Sequence, residues 1–437
     1  MKTRLFRAPR KDLSKFCAIL FASSCLITAR AVADTNFVAH EWGTFTSVQG
    51  ADGKPLPWHS SLTSELPGFV YDWKKPGLNR GALFHGKGDL ITLQRMETPV
   101  IYFYADQPIH VDVNVAFPKG YITEWYPQAT QIGPTFVLET NGPTKGILRD
   151  SRAIWRNLEI VPTSMDQSQP QNHLPQDSSG SHYFAARETA SSLVRTHSAS
   201  SADSTGEVEK FIFYRGAGSF KTPLHVSVDA NNMLVVENTG PQPLRHLFAI
   251  EIRNGYGVFT EMDELTSSNS VVWLNADYVS SDSWIRYPIA QFPNAISGRM
   301  QAALTGEGLF PAEAKAMVNT WKDSWFTEEG VRILYILPRA WTDEILPMKL
   351  SPEPQDLTRV MVGRAELITP TVETNLVQLL TKAQTGDADA RAQAVAEFKK
   401  LGRFAEPAFN LAAAHAHLAK ALNLGDHLLY FPPATFE

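Results

Sequence analysis

The sequence predicts a mainly β fold: one or two β-sandwich-like modules, followed by a mixed α/β segment and a C-terminal helical hairpin or small bundle. Three observations predict this fold. Apolar and polar residues alternate with a period of two over much of 35–290, and turn signals recur about every ten residues. From residue 371 onwards the apolar residues change to helical spacing.

Residues 1–33 have the organisation of a secretory signal peptide. A basic start precedes an apolar run over 16–28, which is too short to cross a bilayer, and 31–33 form an A-x-A cleavage site. Cleavage there would remove both cysteines, Cys17 and Cys25, so disulfides, thiolate metal sites and cysteine nucleophiles are excluded. We therefore expect an exported protein, periplasmic or extracellular, without a transmembrane segment in its mature chain.

The charge of the mature chain follows from the same cleavage. Removing seven Lys/Arg and one Asp from the chain's 40 basic and 45 acidic residues leaves 33 and 44, a net charge of −11. A chain this acidic is a poor partner for nucleic acid, whose binding depends on cationic side chains. We therefore predict no nucleic-acid partner.

The β-rich part divides at a polar stretch. Residues 34–162 form a first predicted β module, in which 109–117 alternate strictly between apolar and other residues. Residues 211–290 form a second, with an Asn-Gly hairpin signal at 254–255. Between them, 163–210 are rich in Ser, Gln, Asp and Pro, which predicts a flexible insert.

An internal similarity raises the question of whether the β-rich part is one module or two. The stretch 101–113 contains IYFY and PIHVDV, and 212–228 contains IFY and PLHVSV at a longer separation. Duplication of a β module would explain this match. Chance similarity among β-favouring residues explains it equally well, so both alternatives stay open.

The segment 291–370 is predicted to mix helix and strand, and 371–437 to be helical. Pro311 is placed to start a helix whose apolar positions run from Ala314 to Trp325. Buried strands are expected at 331–337 and 360–368, a proline-punctuated loop at 338–354, and three helices starting near Pro370, Asp387 and Pro407 and ending at Gly386, Gly402 and Gly425.

No familiar catalytic motif is present, so chemistry must be sought in clusters of polar side chains. Three glutamates, Glu41, Glu97 and Glu124, each adjoin aromatic or basic residues. Two carboxylates at a suitable separation could act as acid and base in glycoside cleavage, and Trp42 and Trp125 beside them would suit sugar rings. The alternative is that these acids form ion pairs while the aromatic side chains fill the core.

Basic residues near these acids are the candidate ligand-binding groups. His40 and Arg95 adjoin two of the glutamates, and Arg187 and Arg215 follow aromatic residues in otherwise apolar segments. A guanidinium can hold a carboxylate through two hydrogen bonds. A buried structural ion pair is the alternative role for both later arginines.

Histidines raise the question of a metal site. His40, His59, His85 and His110 could combine with nearby acids as zinc ligands. Their spacing has no metal signature, so the sequence leaves the metal and any cofactor unknown.

Several segments resemble a group of uncharacterised bacterial proteins that carry signal peptides. These are HEWGTFTSV, METPVIYFY, FPKGYITEWYP, HYFAARETAS, KFIFYRGAGSF, WFTEEGVRILYILPRAW and RVMVGRAELITP, which together span most of the mature chain. The resemblance implies one exported unit and brings no activity, cofactor or catalytic residue with it.

Two classes of function remain open at this point. The first is an exported binding or assembly protein of the cell envelope, with a glycan or an envelope protein as partner. The second is a hydrolase acting on an extracytoplasmic polymer, most plausibly a glycan, through Glu41, Glu97 and Glu124. The missing catalytic motifs favour the binding protein, without deciding whether the chain is an enzyme.

Overall fold

The structure, a computed structural model, describes residues 36–60, 66–73, 90–133, 150–165, 174–197, 206–275 and 285–416. The predicted signal peptide lies outside these ranges. The strands are β1 (Phe37–Gln49), β2 (Trp58–His59), β3 (Tyr71–Asp72), β4 (Ile91–Thr92), β5 (Gln94–Ala105), β6 (Ile109–Phe117), β7 (Gly120–Tyr126), β8 (Gln131–Gly133), β9 (Ser151–Val161), β10 (Leu193–Arg195), β11 (Val208–Glu209), β12 (Ile212–Gly218), β13 (Leu224–Val228), β14 (Met233–Asn238), β15 (Leu244–Arg253), β16 (Tyr256–Leu265), β17 (Ser270–Asn275), β18 (Tyr287–Pro288), β19 (Gly330–Leu337), β20 (Met348–Ser351) and β21 (Asp356–Leu367).

Helices occur mainly after residue 290, so the predicted mainly β class with a helical C-terminal region is confirmed. The α-helices are α1 (Phe292–Gly306), α2 (Pro311–Phe326), α3 (Arg339–Ile345), α4 (Pro370–Gln384), α5 (Ala388–Lys400) and α6 (Ala405–His415). Short 3-10 helices lie at Thr163–Met165, His182–Arg187 and Gly402–Phe404. None of the helices in the described ranges is long and apolar enough to cross a membrane.

A ten-stranded sheet forms the centre of the fold. Its strand order is β18-β16-β15-β19-β21-β1-β5-β12-β7-β3. Strand β1 lies in the middle, parallel to β21 and antiparallel to β5. A six-stranded sheet, in which β11-β10-β9-β6-β20 follow one another and β8 pairs with β9, and smaller sheets β13-β14-β17 and β2-β4 accompany it.

The two faces of the ten-stranded sheet pack against different layers. Successive side chains of a strand point to opposite faces, so β1 contributes to both. Ala39 belongs to an apolar cluster with Val113 of the six-stranded sheet. Trp42 belongs to another cluster with Ile296 of α1 and Met317 of α2. We call these the sandwich face and the helix face of the sheet.

Strands from all three predicted β-containing segments pair in this one sheet. Strands β1, β5 and β7 come from 34–162, β12, β15 and β16 from 211–290, and β19 and β21 from 291–370. The similar stretches at 101–113 and 212–228 supply β5 and β12, which are direct neighbours. Alternation of side chains marks a strand but does not specify its partner, which is why the sequence could not place these strands in one sheet.

The local signals for helices and turns are confirmed where they are strong. Pro311 starts α2, while the side chains of Thr369 and Asp387 cap α4 and α5 by accepting hydrogen bonds from backbone N–H groups. Asn254 and Gly255 have positive φ angles of 53° and 77°, as the two-residue turn between β15 and β16 requires.

Other helix predictions need correction. Helix α3 lies inside the predicted loop 338–354, because Pro338 occupies its N-cap instead of interrupting it. Helix α1 was not predicted, although its buried residues Phe292, Ile296, Met300 and Leu304 recur every four residues, as on one face of a helix. The third C-terminal helix, α6, begins at Ala405 instead of Pro407, and its predicted end at Gly425 lies outside the described residues.

The C-terminal helices form a separate apolar cluster against one end of the β structure. Leu376 and Leu380 of α4, Phe398 of α5 and Ala408 of α6 pack together with Trp58 of β2. The short turn between α5 and α6 therefore lies close to the sheet.

Candidate functional site

A polar cavity of about 420 Å³ lies between the helix face of the large sheet and helix α2. Strand β5 contributes Arg95 and Glu97, and strand β12 contributes Arg215. The other lining residues are Gly180, His182, Asn319, Thr320, Trp321, Asp323, Ser324, Thr327, Glu328 and Arg403. We call this space the polar cavity.

The position of Arg215 follows from alternation along β12 and from an irregularity beside it. Phe213, two residues earlier, belongs to the apolar cluster on the helix face. The pairing of β12 with β7 shifts between Arg215 and Gly216. A Cβ atom at Gly216 would lie 2.4 Å from the carbonyl oxygen of Tyr121, so this close approach requires glycine. Such irregularities are common beside functional sites because they redirect a side chain.

Glu97 is tied to the C-terminal helices through Arg403. Nη1 of Arg403 donates to both carboxylate oxygens of Glu97 at 2.8 Å, and its Nη2 donates to Oγ of Ser324 at 3.0 Å. Nε of Arg95 lies 3.7 Å from Oε2 of Glu97. These contacts join α2, β5 and the α5–α6 turn into one polar group.

The charges around Glu97 fix its protonation state. Burial alone would raise the pKa of Glu97, but the guanidinium groups of Arg403 and Arg95 hold that pKa well below the ordinary carboxyl range. Burial lowers the pKa of Arg95 to about 10, against the opposing effect of Glu97. At neutral pH, Glu97 is therefore an anion and Arg95 a cation.

A second group of ion pairs forms the wall next to Arg403. Nη2 of Arg364 donates to Oε2 of Glu328 and to Oε2 of Glu366, each at 2.8 Å. Nη2 of Arg332 donates to Oε1 of Glu366 at 3.2 Å. Each carboxylate in this wall has at least one guanidinium partner.

Arg215 differs from these paired arginines. It is 3% exposed, and no described residue accepts a hydrogen bond from its Nε or Nη1. The indole Nε1 of Trp321, also at the cavity, lacks an acceptor among the described residues. Both residues offer buried N–H donors, so a complementary ligand would supply acceptor atoms and negative charge.

The structure brings some of the sequence-predicted residues together at this cavity. Glu97, Arg95 and Arg215 line it. Glu124 is paired in register with Arg215 on the neighbouring strand, accepts a hydrogen bond from Oγ1 of Thr123, and acts electrostatically on Arg95. Two of the three predicted glutamates are thus associated with one site.

Glu41 is separated from this group. Nε of Arg359 donates to its Oε2 at 2.6 Å, and the hydroxyl of Tyr214 donates to its Oε1. Tyr214 belongs to the cluster on the sandwich face, so Glu41 and Glu97 lie on opposite faces of the sheet. The predicted cleft of three converging glutamates is therefore absent from the described residues.

His40 takes part in a different buried group on the helix face. Its Nδ1 lies 2.8 Å from Oε2 of Glu313, whose other oxygen accepts a hydrogen bond from Tyr104 at 2.7 Å. Glu313 also accepts a hydrogen bond from the backbone N–H of Phe310 at the start of α2. This arrangement fixes the helix to β1 and does not line the polar cavity.

The remaining predicted binding residues have packing or ion-pair roles. Trp42 and Trp125 are both fully buried, so neither offers a face to a sugar ring. Arg187 donates from Nε and Nη2 to Glu209, and its guanidinium lies 4.9 Å from the ring centre of Phe184. The alternative of a structural ion pair describes Arg187 correctly.

Three of the cavity residues that sequence reasoning missed are Arg403, Trp321 and His182. Arg403 lies in a turn 306 positions after its partner Glu97, and no local pattern indicates that pairing. Trp321 was expected in the core because of its helical spacing, and it is buried, but it also lines the cavity. His182 was expected in solvent, whereas its ring centre lies 5.1 Å from that of Trp321.

Two further features of the described ranges bear on the choice of site. Within those ranges, no three His, Cys, Asp or Glu side chains are arranged to hold a metal ion; His85 lies outside them. A second cavity of about 210 Å³ lies on the other side of the α5–α6 turn, with Leu376, Leu401 and Phe404 among its mainly apolar lining. The polar cavity is the one with buried donors facing it.

Comparisons with known proteins add little to this geometry. No protein-family model and no curated protein matches the chain. Among solved structures, the chain is similar to the yeast delta-COP-I mu-homology domain, at 6% identity and a TM-score of 0.25 over 76% of this chain and 96% of that one. The same domain complexed with a Dsl1 WxWxV peptide gives 6% identity and a TM-score of 0.24. These scores are too low to support any argument about fold or function.

Proposed function

We propose that this protein is an exported binding protein of the cell envelope, whose ligand presents a negatively charged, hydrogen-bond-accepting group to Arg215. The proposal depends on one observation: a buried guanidinium lines a cavity and has no acceptor for Nε or Nη1 among the described residues. A buried donor without an acceptor costs about 1–3 kcal/mol of stability. A ligand that supplied the missing acceptors would offset that cost when it bound.

The compartment in this proposal comes from the sequence. The leader at 1–33 supports export, and an acidic glycan or an acidic segment of an envelope protein would supply a suitable anionic group. N-terminal sequencing of the native protein from the periplasmic or extracellular fraction should begin at Asp34. A cytosolic protein that begins at Met1 would contradict export.

The alternative of a glycan hydrolase has less support. Its acid must hold a proton at working pH, which requires a raised pKa. Glu97 has the opposite shift, because Arg403 and Arg95 stabilise its charged form. Glu41 is bonded to Arg359 on the other face of the sheet, so it cannot act together with Glu97.

Thermal unfolding of the mature protein tests the binding function. Anionic compounds should raise the melting temperature of the wild type, since a ligand at 100 times its Kd stabilises by about 2.7 kcal/mol. Neutral sugars should not. The Arg215→Met variant should lose the effect, and Arg299→Met, which removes an exposed arginine, should retain it.

Either of two results in this experiment would contradict binding at the polar cavity. If no anion raises the melting temperature, or if Arg215→Met responds as strongly as the wild type, the polar cavity is not the binding site.

A further inference from the structure

We infer that the group bound at Arg215 is a single carboxylate, carried by a ligand with an organic body; this inference rests on the proposed binding function. It follows from the charge around the polar cavity, from the donors that face it, and from its size.

The buried and half-buried charges around the polar cavity have an excess of one cation. Apart from the exposed carboxylate of Asp323 at the rim, five guanidiniums and four carboxylates form a network in the cavity and its wall. They are Arg95, Arg215, Arg332, Arg364 and Arg403 against Glu97, Glu124, Glu328 and Glu366. One negative charge neutralises this network, whereas a doubly charged ligand would leave an uncompensated anion in a buried place.

The carboxylate of Asp323 also disfavours a doubly charged ligand. It is exposed and lines the cavity from the solvent side of α2. A carboxylate at this position repels a second negative charge on the ligand. The site therefore discriminates against dianions at its rim as well as at its centre.

The donor set matches a carboxylate in shape. The guanidinium of Arg215 is planar, and each of its two fork edges, Nε with Nη2 and Nη1 with Nη2, fits the two oxygens of a carboxylate. The indole N–H of Trp321 adds a neutral donor at the same cavity. A carboxylate has about four acceptor positions, enough to engage both residues.

The size of the cavity requires more than the anionic group. Its volume of about 420 Å³ far exceeds that of a carboxylate, because a water molecule occupies about 30 Å³. The rings of His182 and Trp321, with centres 5.1 Å apart, belong to its lining. The remaining space fits a short organic body beside these rings.

Isothermal titration calorimetry of the mature protein tests this inference with matched compounds. Hexanoate should bind with a 1:1 stoichiometry. Hexanamide, which has the same body without the charge, should bind at least about tenfold more weakly, as should sulfate and succinate. Dimethyl phosphate is the tetrahedral monoanion and should also bind more weakly than hexanoate, because it does not match the planar fork.

Variants assign the binding to the cavity. Arg215→Lys keeps the charge but loses the fork, so hexanoate affinity should fall at least about tenfold. Trp321→Phe keeps the ring without the N–H donor, and affinity should fall about threefold or more. Circular dichroism confirms the folding of each variant, and Arg299→Met should match the wild type.

The outcomes separate this inference from the proposed function. Tighter binding of sulfate, succinate or dimethyl phosphate, lost in Arg215→Lys, would overturn the carboxylate and leave the anion-binding function standing. Binding of none of these anions would overturn both. Hexanoate affinity unchanged in Arg215→Lys and in Trp321→Phe would overturn the assignment to this cavity.

Discussion

Two buried arginines on the large sheet, Arg359 and Arg215, have opposite surroundings. Arg359, on the sandwich face, donates to Glu41 at 2.6 Å and to Asp343 at 2.7 Å. Arg215, on the helix face, has no acceptor for Nε or Nη1 among the described residues, although the two are almost equally buried at 4% and 3% exposure. Burial therefore does not distinguish the two arginines, whereas donors without acceptors beside a cavity do.

The largest expected effect comes from breaking the matched pair. Arg359→Met leaves Glu41 as a buried anion without its guanidinium, so the free energy of unfolding should fall by about 3–5 kcal/mol. Denaturation by guanidinium chloride measures the change. A loss below about 1 kcal/mol would mean that the pair contributes little and would weaken the contrast with Arg215.

The next effect concerns the link between the sheet and the C-terminal helices. Glu97→Gln removes the charge that Arg403 and Arg95 share, so unfolding free energy should fall by about 3 kcal/mol. The double variant Glu97→Gln/Arg403→Met should lose less than the sum of the single variants. Strict additivity in urea denaturation would show that the two residues are not coupled.

A smaller effect of opposite sign is expected at Arg215. Without ligand, Arg215→Met removes buried N–H donors that lack acceptors, so the free energy of unfolding should rise by about 2 kcal/mol. The same denaturation experiment as for Arg359→Met measures it. If Arg215→Met is as destabilising as Arg359→Met, Arg215 has a structural role and the comparison fails.

The smallest effect appears on acidification. Because the pKa of Glu97 is lowered in the folded protein, its contribution is present above the unfolded carboxyl pKa and is lost as pH falls towards the folded value. The difference in stability between wild type and Glu97→Gln should therefore shrink by about 1.5 kcal/mol from pH 5 to pH 3. A constant difference in urea titrations over this range would contradict the lowered pKa.

The sequence predicts local structure better than it predicts the site. The caps at Thr369 and Asp387 and the Asn254-Gly255 turn depend on neighbouring residues, so their patterns are visible in the chain. The pairing of β1 with β21 joins residues more than 300 positions apart, and no periodic pattern specifies it. Prediction of the site has the same limit. Arg95, Glu97 and Arg215 could be identified because they are polar residues in apolar strands.

Their partners were not identifiable in this way. Whether a buried charged side chain has a partner of opposite charge depends on residues that lie far away in the sequence. Arg359 and Arg403 supply the partners of Glu41 and Glu97, and neither lies near its glutamate in the chain. The sequence therefore could not show that Glu41 has a guanidinium partner whereas Nε and Nη1 of Arg215 lack acceptors.

The long-range contact of Arg403 with Glu97 has a consequence for biosynthesis. The guanidinium that neutralises Glu97 comes from one of the last described turns, and the central strand β1 needs β21 beside it. A nascent chain cannot complete the pairing of β1 before residue 367, or the ion pair of Glu97 before residue 403, is available. A product truncated before residue 400 would keep the acid and lack its counter-charge, so proteases that remove unfolded chains should distinguish it from the finished protein.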